Sequence, residues 1–182
     1  DFGSIFVNGD IFSTDMSQFI VDGDPSASQS DLAIGMVIVV KAETNNGIFT
    51  GKALEVFYDD EVEGPVAATP VDVPGSNGTQ KTLTIFGQTI NIDETVTIFE
   101  GTTFAGLDVN DVVEISGFRT SDTTVDATYV RWIKTLDTGN TEVELRGTIS
   151  GYNPPIEQFM LDTFRVDFDS MVTEIETPNG ML

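Results

Sequence analysis

The fold is decided by two similar stretches of sequence, Ser4-Ile5-Phe6-Val7-Asn8-Gly9-Asp10-Ile11-Phe12 and Lys81-Thr82-Leu83-Thr84-Ile85-Phe86-Gly87-Gln88-Thr89-Ile90-Asn91-Ile92-Asp93. Apolar and polar residues alternate along the second stretch, and the first consists of short apolar runs on either side of turn residues; both patterns are typical of β-strands. Asn8-Gly9 interrupts the first stretch and predicts a hairpin with a type I′ turn, because Asn and Gly tolerate positive φ at both central positions. Gly87-Gln88 interrupts the second stretch in a similar way and predicts a second hairpin of the same kind.

The composition extends this pattern to the whole chain. The 182 residues include 19 Val, 15 Ile and 23 Thr, and β-branched residues favour strands over helices. Gly, Asn, Asp and Pro interrupt the apolar runs at intervals of roughly 8–12 residues, which is the spacing of small sandwiches and barrels. No amphipathic helical pattern extends beyond a turn or two. The sequence therefore predicts an all-β protein with little helix.

Segments of the chain recur in the same order, which indicates an internal repeat. Four pairs of matching positions or segments carry it: Gly9 and Gly87, residues 31–40 and 106–115, residues 52–56 and 126–130, and residues 62–66 and 145–149. A third, weaker hairpin is predicted at Phe159–Asp167.

The repeat divides the chain into three predicted units: residues 1–61, lacking the opening strand, a complete unit at 62–140, and a partial unit at 141–182. The complete unit has five predicted strands with a long connection between the third and the fourth, which is the order of a small OB-like barrel. We therefore expect tandem OB-like five-stranded barrels, one complete and two partial.

Alternation along these strands predicts which side chains fill the barrels. The residues expected to face inward are Ile5, Val7, Val37, Val39, Leu83, Ile85, Val113 and Ile115.

Charge and missing residue types exclude several function classes. Eight Lys and Arg stand against 30 Asp and Glu, a net charge of −22, and the basic residues are scattered, so nucleic acid is not an expected partner. The chain has no His and no Cys, which excludes disulfides, imidazole or thiolate zinc sites and catalytic triads of the Ser-His-Asp and Cys-His kinds. The longest apolar run, residues 34–40, is too short to span a membrane. We expect no enzymatic activity and no cofactor other than calcium.

One acidic run is a candidate calcium site, because hard cations take several carboxylate oxygens. Asp59, Glu61 and Glu63 are the candidate ligands, since alternate residues of an extended segment share a side. The other interpretation of this run is a solvated linker between units. Asp22-Gly23-Asp24 and Asp167-Phe168-Asp169 are shorter candidates of the same type.

Aromatic residues offer a second kind of site, because OB-like barrels often bind ligands on exposed rings. Tyr58, Tyr129 and Trp132 are the candidates for stacking against a glycan, with Phe6, Phe12 and Phe86 as further possibilities. Tyr58 and Trp132 occupy matching positions of two units. The other interpretation is that these rings close a barrel end or pack against the next unit.

Three segments together resemble a known family: Phe2-Gly3-Ser4-Ile5-Phe6-Val7-Asn8-Gly9, residues 58–66 and residues 83–89. They are similar to a bacterial family of repeated OB-like domains of unknown function, found in predicted secreted proteins and lipoproteins. The resemblance implies the barrel and an extracytoplasmic location, either secreted or on the cell surface. It implies no catalytic residues.

Two functions are expected from these features. The first is a structural or assembly role, in which copies of the chain polymerise into a filament because the strand around Leu145, Gly147 and Ile149 of one copy completes the first unit of another. The alternative is a soluble extracytoplasmic module that binds a glycan, calcium or a protein partner.

Overall fold

The computed structural model describes residues 3–169, 171 and 173 of the chain. The described part is all-β, as predicted, and its helices are two short 3₁₀ turns, at Gln29–Asp31 and Pro154–Ile156. The strands are β1 (Ser4–Val7), β2 (Asp10–Ser13), β3 (Gln18–Val21), β4 (Ile38–Asn45), β5 (Ile48–Tyr58), β6 (Val62–Pro65), β7 (Val71–Asp72), β8 (Gln80–Ile85), β9 (Gln88–Asp93), β10 (Ile98–Glu100), β11 (Asp111–Ser121), β12 (Thr124–Thr135), β13 (Glu144–Leu145), β14 (Ile149–Asn153), β15 (Gln158–Leu161) and β16 (Phe164–Asp167).

These strands form three sheets. The first sheet has the order β1-β2-β5-β3, with β4 also paired to β5. The second has the order β13-β6-β11-β12-β9-β8-β7, with β10 also paired to β12. The third is the meander β14-β15-β16.

None of these sheets closes into a barrel within the described residues. The second sheet comes closest, because Ala67 donates its N–H to the carbonyl of Thr84 in β8 over 2.8 Å. No ladder joins β6 to β8, however, and β6 ends at Pro65, which has no N–H to donate. The expectation of closed five-stranded barrels is therefore not met.

The predicted hairpins form, with one turn displaced. Asn8 and Gly9 have φ of 51° and 93°, as a type I′ turn requires. In the second hairpin the turn residues are Phe86 and Gly87, with φ of 48° and 77°, rather than the predicted Gly87 and Gln88. Gln88 belongs to the ladder instead, where it pairs with Ile85, and its buried side chain accepts a hydrogen bond from Arg119.

Two long hairpins share one pairing register. Val40 pairs with Val56 in the β4–β5 hairpin, and Ile115 pairs with Val130 in the β11–β12 hairpin. In the first hairpin the register shifts between Lys41 and Ala42, and in the second it shifts between Ser116 and Gly117. Each hairpin therefore has a bulge at the same distance from the Val40–Val56 or Ile115–Val130 pair.

The larger hydrophobic core lies inside the second sheet. Its buried members come from most strands of that sheet and from the loops between them: Val62, Val66, Leu83, Ile85, Ile90, Ile92, Phe104, Leu107, Val113, Ile115, Val125, Ala127 and Val130. In the first sheet the fully buried cluster consists of Phe19, Ala53 and Val56, with half-buried neighbours around it.

The predicted core positions are right for the second sheet and partly wrong for the first. Leu83, Ile85, Val113 and Ile115 are buried, and Val7 is half-buried. Val39 is 62% exposed, because β4 turns Ile38 and Val40 inward instead. Residues 34–40 are apolar at both parities, apart from Gly35, so alternation alone does not choose the inward face.

Replacing Val113 by Ala should lower the free energy of unfolding by about 1–3 kcal/mol, because the side chain is fully buried in the larger core. Val39→Ala on the exposed face of β4 is the control and should change it by less than about 0.5 kcal/mol. Urea denaturation of both variants measures the difference. Equal losses would contradict the assigned faces.

Candidate functional site

A buried polar group joins the first sheet to the second. Tyr58, the last residue of β5, donates its hydroxyl hydrogen to Glu114 Oε1 in β11. The other carboxylate oxygen of Glu114 forms an ion pair with Arg131 in β12. Glu114 is only 1% exposed, so both of its oxygens depend on these partners. Burial, followed by the neighbouring Glu114 carboxylate, raises the pKa of Tyr58 far above its usual value.

A cluster of carboxylates lies beside this group. Asp22 follows β3, and Asp59 and Asp60 lie between β5 and β6. One oxygen of each side chain lies within 4.8 Å of one oxygen of the other two. The backbone holds this arrangement, because the N–H of Asp22 donates to the carbonyl of Tyr58 over 3.1 Å.

Asp60 is the unusual member of this cluster. Its side chain is 3% exposed, and its Oδ2 atom has no hydrogen-bond partner in the part of the chain that the structure describes. Burial, together with the charges of Glu144, Glu114, Asp22 and Glu63, raises the pKa of Asp60 to about 8. Partial burial and the Glu114 charge raise the pKa of Asp22 to about 6.

These raised pKa values predict a pH-dependent stability in buffers free of divalent cations. The folded chain binds protons at Asp60 and Asp22 that the unfolded chain has already released above about pH 4. Stability is therefore expected to fall as the pH rises from about 4 to about 8. Denaturation midpoints at pH 5 and pH 8 measure the slope, and Asp60→Asn should reduce it. An unchanged slope in that variant would show that Asp60 is not responsible.

The predicted calcium ligands are not brought together. Asp59 lies in the cluster and also forms an ion pair with Arg146. Glu61 forms an ion pair with Arg119 over 3.2 Å instead. Glu63 lies on β6, outside the cluster. The alternation rule fails here because residues 59 and 60 are not in a strand, so Asp60 takes the place predicted for Glu61.

The two shorter acidic candidates have different outcomes. Asp22 joins the cluster, but its partner is the segment at 59–60 rather than Asp24, whose carboxylate accepts hydrogen bonds from Ser26. Asp167 forms an ion pair with Arg165, and Asp169 accepts a hydrogen bond from the N–H of Met171.

The candidate stacking residues are mostly out of reach of a ligand. Tyr58 and Tyr129 are fully buried, and the hydroxyl group of Tyr129 donates to Glu100 over 2.7 Å. Trp132 is 36% exposed, and its Nε1–H donates to Asp111. Of the further candidates, Phe6 is exposed, while Phe86 packs edge to face on Phe164. Trp132 and Phe6 remain accessible.

A polar cavity of about 400 Å³ lies on the Asp22 side of the carboxylate cluster. Three acidic residues of the segment between β3 and β4, Asp22, Asp24 and Asp31, line it together with Glu100 of β10 and Arg131 of β12. The cavity is large enough for a small polar ligand.

The strand β4 lies at an edge of the first sheet. β4 pairs with β5 on one side, and no described strand pairs with its other side. In the second sheet the corresponding strand is β11, which pairs with β12 in the same register as β4 with β5. Unlike β4, it also pairs on its other side, with β6. Ile38 and Val40 in β4 are only half-buried, whereas the corresponding Val113 and Ile115 in β11 are fully buried. The open edge therefore borders an incompletely covered core.

The predicted donor strand is divided in two. Leu145 lies in β13, where it pairs with Val62 at the free side of β6. Ile149 begins β14, which pairs only with β15 and leaves Ile149 61% exposed. Gly147 lies between them. The division arises at Thr148, whose N–H and carbonyl group are both bonded to Asp162, each over 2.9 Å.

In the comparison with known proteins, one family model matches part of the chain. Residues 63–131 match a family model described as a domain of unknown function, DUF5666. The match covers less than half of the chain and lies within the second sheet and its loops. No curated protein and no solved structure matches the chain. No described helix is long and apolar enough to cross a membrane.

Proposed function

We propose that this chain is a non-enzymatic, acidic β-repeat protein that assembles with copies of itself outside the cytoplasm. In this proposal its strands form tandem OB-like units, and residues 144–149 of one copy pair with the open edge of β4 in another. The observation that carries the proposal is that, among the described strands, none pairs with β4 in the way that β6 pairs with β11.

The shared register of the two long hairpins supports a repeated unit. The β4–β5 and β11–β12 hairpins each have a bulge at the same point of the ladder. The second strand of each hairpin also pairs with a parallel strand: β5 pairs with β3, and β12 pairs with β10. Phe19 pairs with Val56, and Phe99 pairs with Val130.

The contacts of two glycines support the correspondence of residues 62–66 with residues 145–149. A Cβ atom on Gly64 would lie 2.3 Å from the ring of Phe86, the first turn residue of the β8–β9 hairpin. A Cβ atom on Gly147 would lie 2.3 Å from the carboxylate of Asp162, the first turn residue of the β15–β16 hairpin. In both units a side chain at this glycine would therefore displace the side chain of the first turn residue.

This correspondence predicts the register of the contact between copies. Val62 pairs with Ile115 and Gly64 pairs with Val113 within the second sheet. By analogy, Leu145 of one copy should lie opposite Val40 of the next copy, and Gly147 opposite Ile38. Leu145 must leave β6 to do so, which breaks the pairing of Glu144 and Leu145 with that strand and the ion pair of Arg146 with Asp59.

The same pairing would stabilise the chain in two ways: it would pair exposed backbone groups and cover apolar side chains. The open edge of β4 exposes backbone groups that natural proteins usually pair or cover. An added strand would also cover the half-buried Ile38 and Val40. The contact runs head to tail and does not return to the same surface, which favours a filament over a closed ring.

The absence of catalysis rests on residue types and access. The chain has no His or Cys to act as a base or nucleophile near pH 7. Asp60 has a raised pKa of about 8, but its side chain is buried away from a substrate. Fractionation of cells that produce the protein tests the extracytoplasmic location, and the chain is expected outside the cytoplasmic fraction.

Light scattering during size exclusion, over a series of concentrations, tests the assembly. The intact chain should form particles well above 19.7 kDa, and deletion of residues 141–182 should abolish them while circular dichroism still reports β-structure. A clean monomer at high concentration, or an unchanged mass after the deletion, would reject the proposal.

A synthetic peptide of residues 141–153 provides a sharper test on the intact chain. It should compete for the open edge of β4 and reduce the particle mass as its concentration rises. The matched control is the same peptide with Leu145→Pro and Gly147→Pro, which lacks two ladder N–H groups and should have no effect. Equal effects of the two peptides would contradict strand pairing.

A binding module is the second candidate function, and the polar cavity of about 400 Å³ beside Arg131 favours it. Trp132 offers an exposed ring on the same strand. This function would replace the assembly proposal if the chain proves monomeric, and glycan-array binding that Trp132→Ala abolishes would support it.

A further inference from the structure

We propose that Asp22, Asp59 and Asp60 form a binding site for one divalent cation, with calcium as the preferred ion. The site links the turn after β3 to the segment between β5 and β6. It goes beyond the proposed assembly and does not depend on it, because none of the three residues lies in the open edge or in the donor segment.

The spacing of the carboxylates fits a shared ion. Calcium binds oxygen ligands at roughly 2.3–2.6 Å, so two ligands of one ion lie at most about 5 Å apart. One oxygen from each of the three side chains meets this limit, since these atoms all lie within 4.8 Å of one another. The arrangement therefore needs no rearrangement of the backbone to bring three carboxylates to one ion.

The burial of Asp60 gives a second reason, besides the spacing of the carboxylates, to expect a bound cation. Its side chain is only 3% exposed, and its Oδ2 atom has no hydrogen-bond partner among the described residues. A buried carboxylate oxygen without a partner is costly unless a proton or a cation compensates it. The carboxylate belongs to the residue that completes the cluster, so a cation held there would compensate its charge.

The nearby basic groups do not supply this compensation. Arg146 forms an ion pair with Asp59, and Arg131 forms one with Glu114, but neither forms one with Asp60. Glu114, Glu144 and Glu63 lie close enough to add negative charge around Asp60. The net field at the cluster is therefore negative, which favours a cation.

The chemistry of the ligands selects the class of ion. All three side chains offer hard oxygen atoms, and the chain has no imidazole or thiolate that would favour zinc or copper. Calcium accepts six to eight oxygen ligands in flexible geometry, so water and backbone carbonyl groups can complete its shell. Magnesium requires a stricter octahedral arrangement and is expected to bind more weakly.

Thermal melting and isothermal titration calorimetry on the intact chain test the site, after the chain has been freed of metal with EDTA. Calcium chloride at millimolar concentration should raise the melting temperature by several degrees more than sodium chloride at matched ionic strength. Calorimetry should report one calcium ion per chain. If calcium raises the melting temperature no more than sodium chloride does, the proposal is wrong.

Two variants identify the residues responsible. Asp60→Asn and Asp22→Asn should each weaken calcium binding at least tenfold, and the exposed Asp22 provides the safer variant if Asp60→Asn folds poorly. Asp10→Asn removes the same charge from the exposed face of β2 and should leave calcium binding unchanged. Equal calcium affinity in all three variants would place the binding elsewhere and overturn the proposal.

A second signature separates an ion site from general screening. In EDTA at a pH above about 8, where Asp60 is ionised, Asp60→Asn should melt at a higher temperature than the unmodified chain, because it removes a buried carboxylate without a partner among the described residues. In calcium the order should reverse. The same order in both buffers would overturn the proposed role of Asp60.

Discussion

Replacing Glu114 by Ala is expected to lower the free energy of unfolding by about 2–4 kcal/mol, because Glu114 is buried while Arg131 keeps partial contact with water. Glu114 is 1% exposed and accepts from Tyr58 while it pairs with Arg131. Its removal leaves the Arg131 charge and the Tyr58 hydroxyl group without a partner at the junction of the two sheets. The loss therefore reflects the partners left behind more than the strength of the pair itself.

Urea denaturation of Glu114→Ala measures this loss. Glu43→Ala is the matched control, because Glu43 pairs with Lys52 over 3.4 Å at the surface, where an ion pair contributes about 0–1 kcal/mol. The double variant Glu114→Leu with Arg131→Leu should recover much of the stability, since it removes both charges together. Similar losses for Glu114→Ala and Glu43→Ala would show that the buried pair does not hold the sheets together.

Replacing Gly117 by Ala should also be strongly destabilising, by about 1–3 kcal/mol or more. A Cβ atom at this position would lie 2.3 Å from the carbonyl oxygen of Asp126 and 2.9 Å from the Cα atom of Ala127. Both atoms belong to the backbone of β12, which cannot move away without breaking its ladder with β11. The glycine is therefore required by the close approach of two backbones at the bulge.

The bulge alone does not require glycine. The corresponding bulge in the β4–β5 hairpin has Ala42 at this position, paired with Ala53. Thr120→Ala, at an exposed position of β11, controls for the general effect of alanine in this strand and should change stability by less than about 0.5 kcal/mol. If Gly117→Ala and Thr120→Ala unfold at the same urea concentration, the close approach of the two strands is not as described.

Much of the fold could be predicted from local pattern. Alternation and turn residues identified the β1–β2 and β15–β16 hairpins correctly, because a hairpin is determined by residues close together in the sequence. The same pattern failed at residues 34–40, where apolar residues occur at both parities. The match of residues 31–40 with residues 106–115 indicates the inward face correctly, since it aligns Ile38 and Val40 with Val113 and Ile115, and all four face a core.

The carboxylate cluster could be predicted only in part. Asp22 and Asp59 each belong to an acidic run that the sequence marks as a candidate ligand segment. Their meeting depends on the parallel pairing of β3 with β5, in which Val21 lies opposite Tyr58. Parallel partners are far apart in the sequence, so no local signal indicates which two turns will meet.

The sequence by itself determined that this protein is all-β, acidic, free of disulfides and without imidazole or thiolate chemistry, because composition and short-range alternation suffice for each of these. Only the folded structure shows that no described strand pairs with the outer side of β4, that Glu114 is buried between Tyr58 and Arg131, and that Asp60 rather than Glu61 joins Asp22 and Asp59. Each of these depends on contacts between residues distant in the chain, and on burial, which changes the energy of a carboxylate far more than its neighbours in the sequence do.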